Sequence, residues 1–274
     1  MPDTRCKWDD LGELTGDVLL FGGPCSNLQA SEALFAEARA RGIDRANRIC
    51  TGDIMAYCAD PAATFALVHA HTGAIVAGNC ERQLGAGAQA CGCGFDEGSV
   101  CDLASRGWYA HAAAQSGDWR AAMQAFADMV VFSHEGLRYA VIHGGLSDIA
   151  KFIWPATEAR VFAEEIAAIE EIAGPVDAVI AGHCGMAFER HIDGRTWINA
   201  GVIGMPPHDG RPETRFVVLG PDGARIERLA YDHETAAARM VAEGLEQGYE
   251  RTLVTGIWPN EDILPRQMRR GMAL

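Results

Sequence analysis

Short apolar runs that stop at a small residue and hand over to a polar or sulfur-bearing side chain occur five times along the chain. They are DVLLFGGPCSN (17–27), RICTGD (48–53), AIVAGNC (74–80), YAVIHGG (139–145) and DAVIAGHCGMAF (177–188). A run this short, bounded by glycine, reads as a buried strand that delivers its last polar group to a loop at the sheet edge. One such ending is an ordinary turn or helix cap. Five in one chain imply convergence on one site.

Between these runs the apolar positions take on helical spacing. Leu28, Leu34, Phe35 and Ala38 keep it up to a stop at Gly42, with Ser26 or Asn27 as the cap. Further helices are predicted over 61–71, 103–115, 120–127 and 158–171, the last with Val161, Phe162, Ile166 and Ile169 inward. Segments 129–133 and 138–142 flank His134-Glu135-Gly136 as an antiparallel hairpin. Short alternating strands follow at 188–192, 196–199, 215–219 and 224–229, and the chain from Thr235 onward is predicted helical. Strand, helix, strand at the front of the chain implies right-handed βαβ units with helices on the faces of a sheet. Loops after successive strands then share the carboxyl edge, where open α/β sheets place ligand sites.

One stretch breaks this rhythm. ERQLGAGAQACGCGFDEGSVCD (81–102) is a glycine-rich insert carrying Cys91, Cys93 and Cys101. Its cysteine spacing does not match a CxxC zinc ribbon. It is compatible with a separate zinc or iron–sulfur site completed by Cys80, with a lid folding its thiols over the active site, or with plain loop thiols.

Composition sets the outer limits. With 274 residues, 49% of them hydrophobic, and no linker or repeat, a single domain over 1–274 is expected, carrying the insert at about 81–102 and a helical extension at about 235–274. The formal charge of −14 offers no basic patch for nucleic acid. The start MPDTRCKWDD lacks the features of a secretory signal, and no apolar run approaches the roughly 18–20 residues of a membrane helix. A soluble, cytoplasmic protein is expected. In that setting nine cysteines read as thiols or metal ligands rather than disulfides. Cys6, Cys50 and Cys58 carry no motif and read as structural, and Trp108 and Tyr109 read as core or pocket wall.

The ordered set SNLQA, GD, GNC, HGG, GHCG and NAGVIG resembles the calcineurin-like metallophosphoesterases, in particular their compact bacterial phosphodiesterase-like branch. The likeness runs from Asp17 to about Gly244; no single motif is specific, but their order and spacing are. It implies an αββα sandwich, two mixed β-sheets packed face to face with helices outside. It also implies a site for one or two divalent transition metals, zinc, manganese or iron, that clamps a phosphoryl oxygen and generates a hydroxide. Asp53, Asn79, His143 and His183 match one complete ligand set. The other set survives only in Asp53, because Gly23, Cys25 and Gly185 stand where the family has aspartate and two histidines. Cys80 replaces the histidine of GNH that steadies the transition state.

Cys25, Cys80 and Cys184 therefore gather in the ligand loops, and thiolates are good ligands for zinc, iron or copper. Cys25 is a candidate ligand, and Cys80 with Asp53 the candidate catalytic pair. His208 and Arg211 lie where the rim of a site could meet an anionic substrate. The resemblance implies a phosphoesterase or phosphodiesterase acting on a small phosphorylated molecule. A non-hydrolytic metal-binding or redox-sensing protein on the same fold is the alternative, and a metal- or cluster-dependent enzyme of unrelated chemistry a third.

Overall fold

A computed structural model describes residues 6–270. The signal-peptide reading of the chain's start falls partly on residues 1–5, and the last four residues of the expected helical extension on 271–274. Both lie outside the described residues.

The chain opens with β1 (Trp8–Glu13), β2 (Val18–Phe21), α1 (Leu28–Ala40), β3 (Arg48–Cys50), α2 (Pro61–His71) and β4 (Ala74–Ile75). Asn27 caps α1, its side chain accepting from the Ala30 N–H. After β4 come α3 (Asn79–Ala86), α4 (Val100–Gln115), α5 (Arg120–Ala125), the hairpin β5 (Met129–His134) and β6 (Leu137–Val141), and α6 (Ala159–Ala173). The chain continues through β7 (Ala178–Ala181), β8 (Ala187–Ile192), β9 (Arg195–Ala200), β10 (Thr214–Gly220) and β11 (Gly223–Leu229) to α7 (His233–Ala242) and α8 (Tyr249–Thr255).

These strands form two mixed sheets. One has the order β11-β10-β2-β3-β4, parallel from β2 to β4 and antiparallel at β10 and β11. The other has the order β1-β5-β6-β7-β9-β8, with β6, β7 and β9 parallel. The period of two decides which face each side chain joins. Val18, Leu20, Ile49, Val130, Val141, Ile180 and Val217 meet between the sheets. Leu19, Phe21, Cys50 and Phe216 face the helices on one outer side, while Val131, Ala140, Val179 and Trp197 pack with Phe162 and Ile166 of α6 on the other. The result is the expected four-layer αββα arrangement.

Three elements depart from the sequence reading. β1 is an edge strand whose residues are half-buried or exposed, so WDDLGE shows no alternation to read. α3 occupies the first part of the glycine-rich insert, with Asn79 and Cys80 in its first turn rather than in a loop. Beyond α8 the chain runs irregularly to a short 3₁₀ turn at Arg266–Met268 instead of remaining helical. Among the described residues no helix is long and apolar enough to cross a membrane.

Candidate metal centre and its pocket

The parallel strands of both sheets point their carboxyl ends at one place. Asp53 follows β3, Asn79 follows β4, and His143 and His183 each lie two residues past β6 and β7. Asp53 and Asn79 thus come from one sheet, the two histidines from the other. Glycines let the loops approach: a Cβ on Gly52 would strike the Gly78 backbone, and one on Gly78 would strike Asp53. The buried carboxylate of Glu81 accepts from the backbone N–H groups of Asp53 (2.7 Å), Ile54 (2.8 Å) and Gly78 (2.9 Å), and the Cys80 N–H donates to Asp53 Oδ1 at 3.2 Å.

The donor set is arranged for a cation. His143 Nδ1 lies 2.6 Å from the Thr51 carbonyl, so the N–H is given there and Nε2 presents a lone pair. Asn79 Nδ2 donates to the Cys91 carbonyl at 3.0 Å, which turns Oδ1 inward. His143 Nε2 then faces Asn79 Oδ1 at 3.1 Å, His183 Nδ1 at 3.0 Å and Asp53 Oδ2 at 3.3 Å, with Asp53 Oδ2 and His183 Nδ1 3.9 Å apart. Donor atoms that each lie about 2.0–2.2 Å from one ion are themselves roughly 3.0–3.4 Å apart in tetrahedral or octahedral geometry. The residues fit a divalent metal.

The electrostatics agree. Burial disfavours the charged form of Asp53, yet the two imidazoles hold its carboxyl well below the ordinary range. For His143 burial is outweighed by the neighbouring Asp53 carboxylate, which raises its pKa; for His183 burial prevails and lowers it. Electron-rich atoms packed this closely need protons or a metal ion between them.

Backbone strain marks the same place. Eight non-glycine residues among those described have positive φ; Cys25, Asp53, Tyr57 and His183 line the site and its cavity, Ser26 follows Cys25, and His208 lies under Trp258. The other two, Glu135 and Asp193, sit in hairpin turns. Strain persists where surrounding structure over-determines it, commonly at functional sites.

The cysteines take different positions. The convergent acid and histidine group comprises Asp53, His143 and His183, and Cys25 is not in it. Cys25 is buried on the wall of the adjoining cavity, and burial first, then Cys58 and Asp53, push its thiol pKa well up. Cys80 is buried behind Asp53; burial, the charges of Asp53 and Glu81 and a hydrogen bond to Asp53 keep its thiol protonated. Cys184 accepts from Asn199 Nδ2 at 3.3 Å, and burial pushes it up to about 12. Cys91 and Cys93 are joined as a disulfide, contrary to the expectation of thiols or ligands. Cys93 Sγ lies 3.4 Å from Asn79 Nδ2, and the remaining seven cysteines are unpaired.

His208 and Arg211 do not reach the metal cluster. His208 is buried between Glu261 (2.9 Å) and the Trp258 N–H (2.8 Å), and Arg211 does not line the cavity. Trp108 is core, its ring tilted against Tyr57, and Tyr109 donates to the Ala88 carbonyl.

Beside Asp53, His143 and His183 lies a cavity of about 80 Å³. Its walls are apolar: Tyr57, Phe95, Phe152, Tyr249, Trp258 and Ile263, with Val202, Met205 and Pro206. Sequence reasoning missed these residues, because scattered aromatic and aliphatic positions look the same in a core and in a pocket.

Residues 26–222 match the calcineurin-like phosphoesterase superfamily domain, and the chain belongs to that superfamily. No curated protein matches it by sequence. Its structure is similar to that of a metallophosphoesterase from Sphaerobacter thermophilus, with a TM-score of 0.69 at 20% identity over 89% of this chain and 100% of that one. A hypothetical protein from Pyrococcus horikoshii OT3 gives a TM-score of 0.69 at 13% identity, covering 89% and 99%. At such identities the likeness is one of fold.

Proposed function

We propose that the chain is a single-domain, metal-dependent phosphoesterase acting on a small phosphorylated molecule, with one divalent transition metal held by Asp53, Asn79, His143 and His183. The observation that carries this reading is the meeting of four donor atoms at the carboxyl ends of strands from both sheets. When bound there, such an ion would supply Lewis acidity toward a phosphoryl oxygen and toward water.

The chain's own residues supply position. Thr51 O fixes the tautomer of His143, Glu81 holds the loop that carries Asp53, and the Cys80 N–H holds one Asp53 oxygen. Cys80 is buried beside the proposed centre, and its sulfur accepts from Asn79 Nδ2 at 3.6 Å, which gives it a positioning role. Cys25 is wall rather than ligand. The formal charge of −14 speaks against nucleic acid, and seven unpaired thiols suit a reducing cytoplasm, with the Cys91–Cys93 pair the exception.

The test is metal content of protein purified without added metal, together with hydrolysis of aryl phosphoesters before and after chelation. One metal per chain, lost in His143→Ala, with turnover that follows the metal, is the expected result. Full loading without turnover of any phosphoester overturns it. The disulfide beside Asn79 favours a second reading, a non-hydrolytic redox sensor, in which reductant changes metal content and no ester is cleaved.

A further inference from the structure

Gly23 and Gly185 stand where the family resemblance places an aspartate and a histidine, and the room for those side chains is filled. A Cβ on Gly23 would lie 2.7 Å from Val202 Cγ1, and one on Gly185 would lie 3.2 Å from Trp258 Cζ2. The second half of the site is thus an apolar cavity that opens directly onto Asp53, His143 and His183.

Its roof comes from residues beyond the 26–222 span of the family domain. Trp258 donates from Nε1 to the Pro206 carbonyl (2.7 Å) and from its backbone to His208 Nδ1 (2.8 Å). Glu261 holds His208 at 2.9 Å, and the Cys101 thiol donates to Asn260 at 3.3 Å. The roof is tied down on both sides.

We propose that this cavity receives a small uncharged apolar alcohol group of a phosphodiester, and that Trp258 and Ile263 set this specificity; the inference rests on the metal-centre reading above. Charge argues for the diester. One divalent ion and the Asp53 carboxylate sum to a single positive charge, and among the described residues no lysine or arginine lines the cavity. Glu81 does not line it and spends its oxygens on three backbone amides. In the neighbouring cleft, Lys7 is bound to the Ala125 carbonyl and Arg82 to Asp128 and the Phe126 carbonyl. A monoanionic diester balances the centre. A monoester above its second pKa of about 6 brings a further charge against apolar walls. Size argues for a small group: an apolar cavity of about 150 Å³ holds benzene, and this one, at about 80 Å³, suits a short alkyl group rather than a ring or a nucleoside.

Calorimetry on the metal-loaded protein tests this with three non-hydrolysed probes: methyl propylphosphonate (monoanion with a short alkyl chain), propylphosphonate (dianion with the same chain) and dimethyl phosphate (monoanion with methyl groups only). Methyl propylphosphonate is expected to bind about tenfold more tightly than either of the others. Trp258→Ala and, independently, Ile263→Ala are expected to weaken it about tenfold with metal per chain unchanged. Tighter binding of the dianion, equal binding of dimethyl phosphate, or no effect of either variant overturns the inference and leaves the metal centre standing. A wild-type protein that takes up no metal overturns the metal-centre reading itself.

Discussion

The ring of Phe152 lies against the imidazole of His183, centroids 4.4 Å apart and planes at 35°. His183 turns Nδ1 toward Asp53 and His143, so in the proposed reading the same imidazole is a ligand on one side and pocket wall on the other. Phe152 in turn stacks on Trp154 at 5.3 Å, which makes the ligand's orientation depend on an aromatic stack. Phe152→Ala is expected to leave the fold intact and to lower metal affinity about tenfold, because an unsupported imidazole loses its fixed aim. A metal-ion titration followed by calorimetry checks it; unchanged affinity would show that the ring is held by the backbone alone.

Glu81→Gln removes an acceptor where three backbone N–H groups converge. A glutamine amide turns a donor toward donors, so about 1–3 kcal/mol of stability is expected to go. Metal affinity should fall with it by roughly 10–100-fold, since the loop carrying Asp53 loosens. Urea unfolding of the metal-free protein and metal titration measure the two effects separately.

Restoring an acid at position 23 is not expected to restore a second metal. Gly23 has φ of +41° and its Cβ direction ends on Val202, so Gly23→Asp combines backbone strain with overpacking. Overpacking alone costs about 1–3 kcal/mol. Thermal unfolding should show a lower midpoint while metal per chain stays as in the wild type; a second equivalent of metal would contradict the account of the apolar half-site.

The roof has its own pH limit. Pairing with Arg270 first, then with His208, moves the Glu261 pKa from an ordinary 4.5 to about 2 in the folded chain. A carboxyl depressed in this way stabilises the fold above its unfolded pKa, and the contribution disappears as pH falls from about 4.5 toward 2. Limited proteolysis is expected to release the segment after α8 faster through that window, and Glu261→Gln to abolish the pH dependence. Equal cleavage across the window in the wild type would remove Glu261 as the anchor.

The proposed ligand quartet was legible because each member follows a short apolar strand within a few residues, and a strand's end is a local property of the sequence. Asp53, Asn79, His143 and His183 each carry their own punctuation, a glycine beside a metal-capable side chain. The pocket has no such mark. Tyr57, Phe152, Tyr249, Trp258 and Ile263 come from separate segments and are joined only by the fold, so each reads as ordinary core. α3 stayed hidden for a different reason: its glycine-rich continuation masks eight residues of helix, whose start is set by the return of Glu81 to Gly78. His208 suggested a substrate contact from its position after NAGVIG, whereas Glu261, 53 residues later, engages it.

Two ligands from each sheet mean that a bound ion would rivet the seam of the sandwich. Its binding free energy, about 4 kcal/mol at a thousandfold excess over Kd, would be shared between the layers rather than spent on one loop. The sliding of one sheet over the other and the loss of the ion then become the same event. A substitution in the intersheet core that shifts the layers by a fraction of an ångström, touching no ligand, would be felt first as a missing metal.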